Sequence, residues 1–167
     1  MTFSLRDFQL SDAEAVNEIA LAAFHEYKHL YSDWPTLASN LGRTASLADQ
    51  SELIVASRGA TVVGAVAYVP PGRPRQDFFP LDWPIVRMLV VLPSERGHGI
   101  GRALTEECIR RADRDSAHLL ALHTSPIMSV ALPMYQRLGF ERHGDAPSLM
   151  GVPYSIYVKQ LNPSARA

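Results

Sequence analysis

Residues 89–104 read LVVLPSERGHGIGRAL, and this stretch decides how the rest of the chain is parsed. An apolar run breaks at Pro93, passes through three glycines in five residues, and resumes as a helical pattern from Ile100. Glycines let backbone come close to a ligand, and a helix start aims free N–H groups and a positive dipole end at it. That combination suits a pyrophosphate group. Spacing separates the known glycine loops. A G-x-G-x-x-G fingerprint from Gly97 needs glycine where Arg102 stands, and one from Gly99 needs it where Leu104 stands. A P-loop needs G-K-[ST] after four spacers, which is absent.

Working outward, residues 84–93 read as a buried strand and Ile100 to Arg114 as an amphipathic helix with Ala103, Leu104, Cys108, Ile109 and Ala112 inward. Upstream, 52–57 and 61–70 form strands around the tight turn Arg58-Gly59-Ala60, and 3–9 alternates as a short strand. Ser11 and Asp12, with Glu14, mark a helix start. The apolar positions from Val16 to Tyr31 recur at three- and four-residue spacing, so one helix is expected over that span. Residues 34–49 read as a second, weaker helix opened by Trp34-Pro35, with Gly42 as an interruption. Downstream, 118–124 is a strand and 129–138 a helix in which Pro133 demands a kink or a late start. Gly139 sits where a helix end wants positive φ. Short strands follow at 140–143 and 154–161. The order β-α-α-β-β-β-α-β-α-β-β implies one α/β (α+β) domain over 1–167, with a mixed, mostly antiparallel sheet of six to seven strands and helices on both faces.

With 167 residues the chain is long enough for a substantial core without staples. Its formal net charge of -1 leaves no electrostatic footprint for nucleic acid or an anionic membrane, so a small-molecule partner is expected. No stretch reaches the roughly 18 apolar residues of a membrane span. The charged N-terminus lacks a signal-like apolar run, and a cytoplasmic location is the expectation. The single cysteine, Cys108, excludes an intrachain disulfide and a cysteine-rich metal site, and reads as a core residue.

The glycine loop resembles the coenzyme A loop of the GNAT superfamily of N-acetyltransferases, [QR]-x-x-G-x-[GA], with Arg96, Gly99 and Gly101 at its three fixed positions. A second motif, MYQRLGF (134–140), resembles that family's helix end, and Tyr135 falls on its catalytic tyrosine. The resemblance implies acetyl-CoA as co-substrate. It implies backbone contacts to pyrophosphate from Gly97, His98, Gly99, Ile100, Gly101 and Arg102, and a splayed strand of Leu89, Val90 and Val91 along the pantetheine arm. It implies direct attack by a primary amine of a small molecule or peptide, a tetrahedral intermediate held by the Val91 N–H, and a proton from Tyr135 to the leaving thiolate.

Two positions depart from the family pattern. Arg87 stands where many relatives carry glutamate, so a base must come from elsewhere or from water; Arg87 itself either binds an acidic group of the substrate or pairs with a nearby carboxylate. Met128 stands where an asparagine often contacts the coenzyme. Glu26 is the candidate base, with Asp33, Asp77 and Asp82 as alternatives, and His123 at a strand end either faces the cleft or hydrogen-bonds locally. The proline-rich loop 71–83 reads as a lid or pocket wall. Its Phe78, Phe79 and Trp83 line either an acceptor pocket or a subunit contact, the latter in a homodimer.

Two other functions are open to the same residues. A noncatalytic acyl-CoA sensor would keep the glycine loop and dispense with a base. A zinc hydrolase would use His25-Glu26-Tyr27-Lys28-His29, which matches H-E-x-x-H. The expected helix puts both histidines opposite its apolar stripe, and LYSDWP follows without the extended glycine-histidine motif. No metal is therefore expected.

Overall fold

A computed structural model describes residues 2–162, and the element order expected from the sequence is the one observed; residues 1 and 163–167 lie outside the described residues. The strands are β1 (Ser4–Asp7), β2 (Glu52–Arg58), β3 (Thr61–Val69), β4 (Ile85–Val91), β5 (Leu119–Thr124), β6 (Glu141–Leu149) and β7 (Val152–Gln160). The helices are α1 (Ala13–Phe24), α2 (Trp34–Leu41), α3 (Ile100–Arg114) and α4 (Ala131–Arg137). One seven-stranded sheet runs β1-β2-β3-β4-β5-β7-β6. Every pairing is antiparallel except β4 with β5. Parallel neighbours need a crossover, and α3 supplies it.

The two faces follow from the alternation of side chains along each strand. Leu53 and Val55 of β2 join Val16, Ile19, Leu37 and Leu41 of α1 and α2 in one core. Ile54 and Ala56 point the other way and join Ile100, Leu104 and Cys108 of α3. Because both faces are covered, the central strands are apolar throughout rather than alternating. Gly64 of β3 lets α3 lie close: a Cβ there would stand 3.1 Å from Ile100 Cγ2 and 3.1 Å from the Val90 carbonyl. Among the described residues no helix is long and apolar enough to cross a membrane.

Four local expectations change. The first helix does not reach Tyr31; α1 ends at Phe24 and a 3-10 turn occupies His25–Tyr27. Residues 34–49 divide into α2, capped by Asp33 accepting from the Thr36 N–H, and a 3-10 segment at Thr44–Asp49. The helix start uses Asp12, which accepts from the Gln9 N–H at 2.8 Å and from both ends of the Arg6 guanidinium. Most consequentially, the short strands expected at 140–143 and 154–161 extend toward each other, to Leu149 and back to Val152, and form a hairpin. Its strand β6 is the sheet edge, largely exposed, and carries Gly144 and Pro147, residues that an edge strand accommodates most readily. Met150 and Gly151, both at positive φ, make the turn. Pro133 produces the late start: it occupies the first turn of α4, where its missing N–H costs nothing.

Candidate active site

The cleft begins with an irregularity in β4. Ala65 pairs with Val90 and Ala67 with Arg87, so two residues, Met88 and Leu89, oppose Val66 alone. This is a β-bulge, with Met88 at φ 54°. On the other side, β4 and β5 are paired only at Ile85 and Ala121, and beyond that point they part. The Leu92 N–H donates to the Val63 carbonyl at 2.8 Å. Hydrogen-bonded and non-bonded pairs alternate in an antiparallel ladder, so Val91, opposite Gly64, turns its N–H away from β3 and toward the gap left by β5.

After a 3-10 turn at Pro93–Glu95, the loop reaches Gly97 at φ 83° and Gly99 at φ 82°, the latter capping α3. These are left-handed conformations that cost other residues roughly 1–2 kcal/mol. The first amide of α3 with a backbone acceptor is that of Ala103, bonded to Gly99 O at 3.0 Å. Among the described residues, the amides of 97–102 have no backbone acceptor. They edge a cavity of about 370 Å³ between the parted strands, lined by Leu89, Val90, Val91, Arg96, Gly97, Gly99, Ile100, Gly101 and Arg102. His98 alone of the expected coenzyme residues is absent from that lining; it is exposed, with Nδ1 3.1 Å from the Glu95 carbonyl.

The opposite wall is Ala23, Phe24 and Tyr27 from the end of α1, which no motif marked, with Met128, Ala131, Met134 and Leu138 around α4, of which Met134 and Leu138 belong to the 134–140 motif. Nor was the bracing of the loop base, where Arg58 donates to Glu95 at 2.7 Å. A larger depression of about 650 Å³ lies elsewhere, at the far end of α3. Its arginines are consumed internally, Arg111 by Asp7, Glu52 and Glu107, and Arg114 by Glu52 and Asp115. Size there does not coincide with available chemistry.

Glu26, the candidate base, does not line the cavity. Arg96 donates to its Oε1 at 2.6 Å and to the Ala23 carbonyl at 3.2 Å, so this carboxylate tethers the glycine loop to the end of α1. Asp33 caps α2, and Asp77 and Asp82 are exposed. Tyr135 is not in the lining either. It is buried beside Ile100, Leu104 and Cys108, one position from the lining residue Met134. Its placement has a physical cause in the MYQRLGF motif. The Phe140 N–H returns to Tyr135 O at 3.1 Å, the Gly139 N–H to Gln136 O at 3.0 Å, and the Phe140 ring meets the Tyr135 ring edge-on at 5.8 Å. Gly139, at φ 98°, closes this Schellman turn. Burial raises the Tyr135 phenol well above its ordinary value, which keeps it protonated at neutral pH.

On the α1 and α2 face of the gap, the register places a second group of residues. Two positions beyond the Ile85–Ala121 pair along each strand, Arg87 and His123 lie where β4 and β5 have begun to part, and the Arg87 charge bears on the His123 ring. The His123 ring lies against Phe78, Phe79 and Tyr154, with centroids 5.2, 5.9 and 5.0 Å away. Loop 71–83 thus packs Phe78 and Phe79 against β5, and none of its residues is in the lining of the 370 Å³ cavity. Arg75 clasps the loop, donating to the carbonyls of Pro70, Arg73, Pro80 and Trp83. Tyr154 in turn meets Tyr31 hydroxyl to hydroxyl at 2.6 Å. The HEYKH histidines lie off any α-helix, His25 edge-on to Trp34, so the helix face a zinc hydrolase needs is missing. Among the described residues no three His, Cys, Asp or Glu side chains are grouped to hold a metal.

Comparison with known proteins agrees with this architecture. The GCN5-related N-acetyltransferase of Rhodopseudomonas palustris superposes with a TM-score of 0.75 at 20% identity, over 96% of this chain and 97% of that one. PaiA N-acetyltransferase from Thermoplasma acidophilum, solved with coenzyme A, gives 0.70 at 17% identity, over 96% and 100%. yncA from Salmonella typhimurium, solved with its cofactor acetyl-CoA, gives 0.69 at 17%, over 97% and 95%. At these identities the likeness is one of fold. The model of the Acetyltransferase (GNAT) family, however, matches residues 13–140 of the sequence itself, more than half its length. The chain therefore belongs to the GNAT acetyltransferase family.

Proposed function

We propose that this protein transfers the acetyl group of acetyl-CoA to a primary amine. The observation that carries the reading is the row of acceptor-free amides over 97–102, set at the N-terminus of a 15-residue helix and edging the cleft between parted strands. Such a row neutralises a pyrophosphate without side-chain charge. The solved structures of similar fold that hold coenzyme A or acetyl-CoA support the choice of ligand.

Bound there, acetyl-CoA supplies the activated acetyl group; the chain's own residues supply placement and proton control. Leu89, Val90 and Val91 present the unpaired side of β4 to the pantetheine arm. The Val91 N–H donates to the carbonyl oxygen as negative charge develops on it, an interaction whose removal typically costs about 10²–10³ in rate. Tyr135, held protonated by burial, donates to the departing sulfur. Glu26 takes no part in proton transfer, since Arg96 occupies its carboxylate. The acceptor ammonium loses its proton to water at the mouth of the cleft, and the aromatic side chains there favour the neutral amine by desolvation.

Calorimetry with acetyl-CoA should show saturable binding, and a screen of amines should release coenzyme A thiol with an acetylated product visible by mass spectrometry. Absence of acetyl-CoA binding overturns the reading. A second reading, an acyl-CoA-binding module without turnover, is favoured by one observation: neither Tyr135 nor an unpaired carboxylate lines the cavity. Binding without thiol release across the screen would select it.

A further inference from the structure

Arg87 lies half-buried on β4, where its backbone pairs with Ala67, and among the described residues its side chain has no carboxylate partner and no hydrogen bond. The ring its charge bears on is that of His123 in β5. The His123 Nδ1 is itself buried without a partner. Two side chains without protein partners thus lie on adjoining strands, at the point where those strands part. A buried ring nitrogen left unpaired is costly, and the half-buried guanidinium near it has its donors free for a ligand. The walls are already built: Phe78 and Phe79 on a loop clasped by Arg75, and Tyr154 held by Tyr31.

We infer that Arg87 and His123 form a subsite for an anionic oxygen group on the acceptor, so that the amine acetylated here belongs to a molecule bearing a carboxylate or phosphonate. This rests on the acetyl-transfer reading for its substrate, though the subsite stands on its own geometry. The planar fork of the arginine suits a two-oxygen anion, and His123 Nδ1 in its protonated tautomer donates a further bond. The aromatic rings around the imidazole receive the apolar part of the same molecule. Burial and the Arg87 charge both lower the basicity of His123, so at neutral pH the imidazole is uncharged and the site gains its positive charge from Arg87 alone.

The test uses the full chain with saturating acetyl-CoA and acceptors in matched sets: phenylalanine, its phosphonate analogue and 2-phenylethylamine; leucine, its phosphonate analogue and 3-methylbutylamine. Thiol release should favour the acid-bearing members by tenfold or more in kcat/KM, and the carboxylate and phosphonate arms show which anion the subsite takes. Arg87→Gln should remove that preference, chiefly through KM, with acetyl-CoA affinity unchanged, and Arg87→Lys should restore part of it. Arg87→Met should keep or raise the melting temperature, since it removes an unpaired charge. Equal rates for acids and bare amines, or a preference that survives Arg87→Gln, overturns the inference. Should no acceptor turn over, the same sets are titrated into coenzyme-loaded protein while the His123 ring resonances are followed. Shifts induced by the acids in wild type and lost in Arg87→Gln support the subsite even though acetyl transfer has failed. No shift with any acid overturns it even if acetyl-CoA binds.

Discussion

Arg96 and Glu26, seventy residues apart in sequence, are joined by a 2.6 Å ion pair that binds the glycine loop to the end of α1. The Glu26 side chain is nearly half exposed, so the pair contributes modestly, within the range of about 0–1 kcal/mol for surface pairs. Glu26→Gln should therefore weaken acetyl-CoA binding by about fivefold at most and leave kcat and its pH profile unchanged. A loss of kcat of a hundredfold, with an altered acid limb, would return Glu26 to the role of base. Steady-state kinetics across pH decides.

Gly99 and Gly101 serve the loop in different ways, and their substitutions should separate. Gly99 occupies the left-handed region, so Gly99→Ala should destabilise the fold by roughly 1–2 kcal/mol as well as weaken coenzyme binding. Gly101 has ordinary helical geometry. A methyl there would make normal contacts of 3.7–3.9 Å with Val91, Leu89 and Met134, all of which line the cavity. Gly101→Val should thus leave the melting temperature near wild type and weaken acetyl-CoA binding tenfold or more, as read by calorimetry.

Tyr135 is positioned by its ring and assigned its chemistry by its hydroxyl. Tyr135→Phe retains the edge contact with Phe140 and the Schellman turn, so stability and acetyl-CoA affinity should hold while turnover falls by about 10²-fold. Tyr135→Ala should cost about 3–5 kcal/mol in denaturant unfolding, because it opens the core beneath α3. Unchanged turnover in the phenylalanine variant would leave Tyr135 as a core residue only.

His123 predicts an acid-sensitive fold. Burial, then the Arg87 charge, pushes the imidazole down to about 4, against an ordinary value near 6.5. The unfolded chain therefore binds more protons there between those limits, and stability falls as pH drops from about 6.5 toward 4, by on the order of 3 kcal/mol, and is fully present above 6.5. Thermal midpoints measured over that window should flatten in His123→Phe.

Gly64 should tolerate no side chain. Gly64→Ala places a methyl 3.1 Å from Ile100 Cγ2 and the Val90 carbonyl, forcing apart the helix and strand that frame the cleft. Overpacking of this kind costs about 1–3 kcal/mol, and here acetyl-CoA affinity should fall with it.

The glycine loop, the order of elements and the Schellman motif of 134–140 were readable because each is a local device: positive φ, a cap, a period of hydrophobic residues. Nine of the ten residues expected to meet the coenzyme line the cavity for the same reason, since a strand, a loop and a helix start are contiguous in the chain. Local signals failed where exposure set the pattern. The edge strand β6 reads as a strand only over its first residues, 140–143, because its exposed remainder is shown to be strand only by its partner β7.

What the sequence alone determined is the strand, glycine loop and helix start proposed to hold the coenzyme, whose geometry is written into neighbouring residues. What only the tertiary structure decided is the charge state and partnership of residues far apart in the chain. Glu26 became a tether because Arg96 reaches it, and the Arg87 side chain remained unpaired because it lies where β4 and β5 part, near His123 rather than a carboxylate. Strand pairing and ion pairing depend on distance in space, and no single-sequence periodicity encodes which charge will meet which.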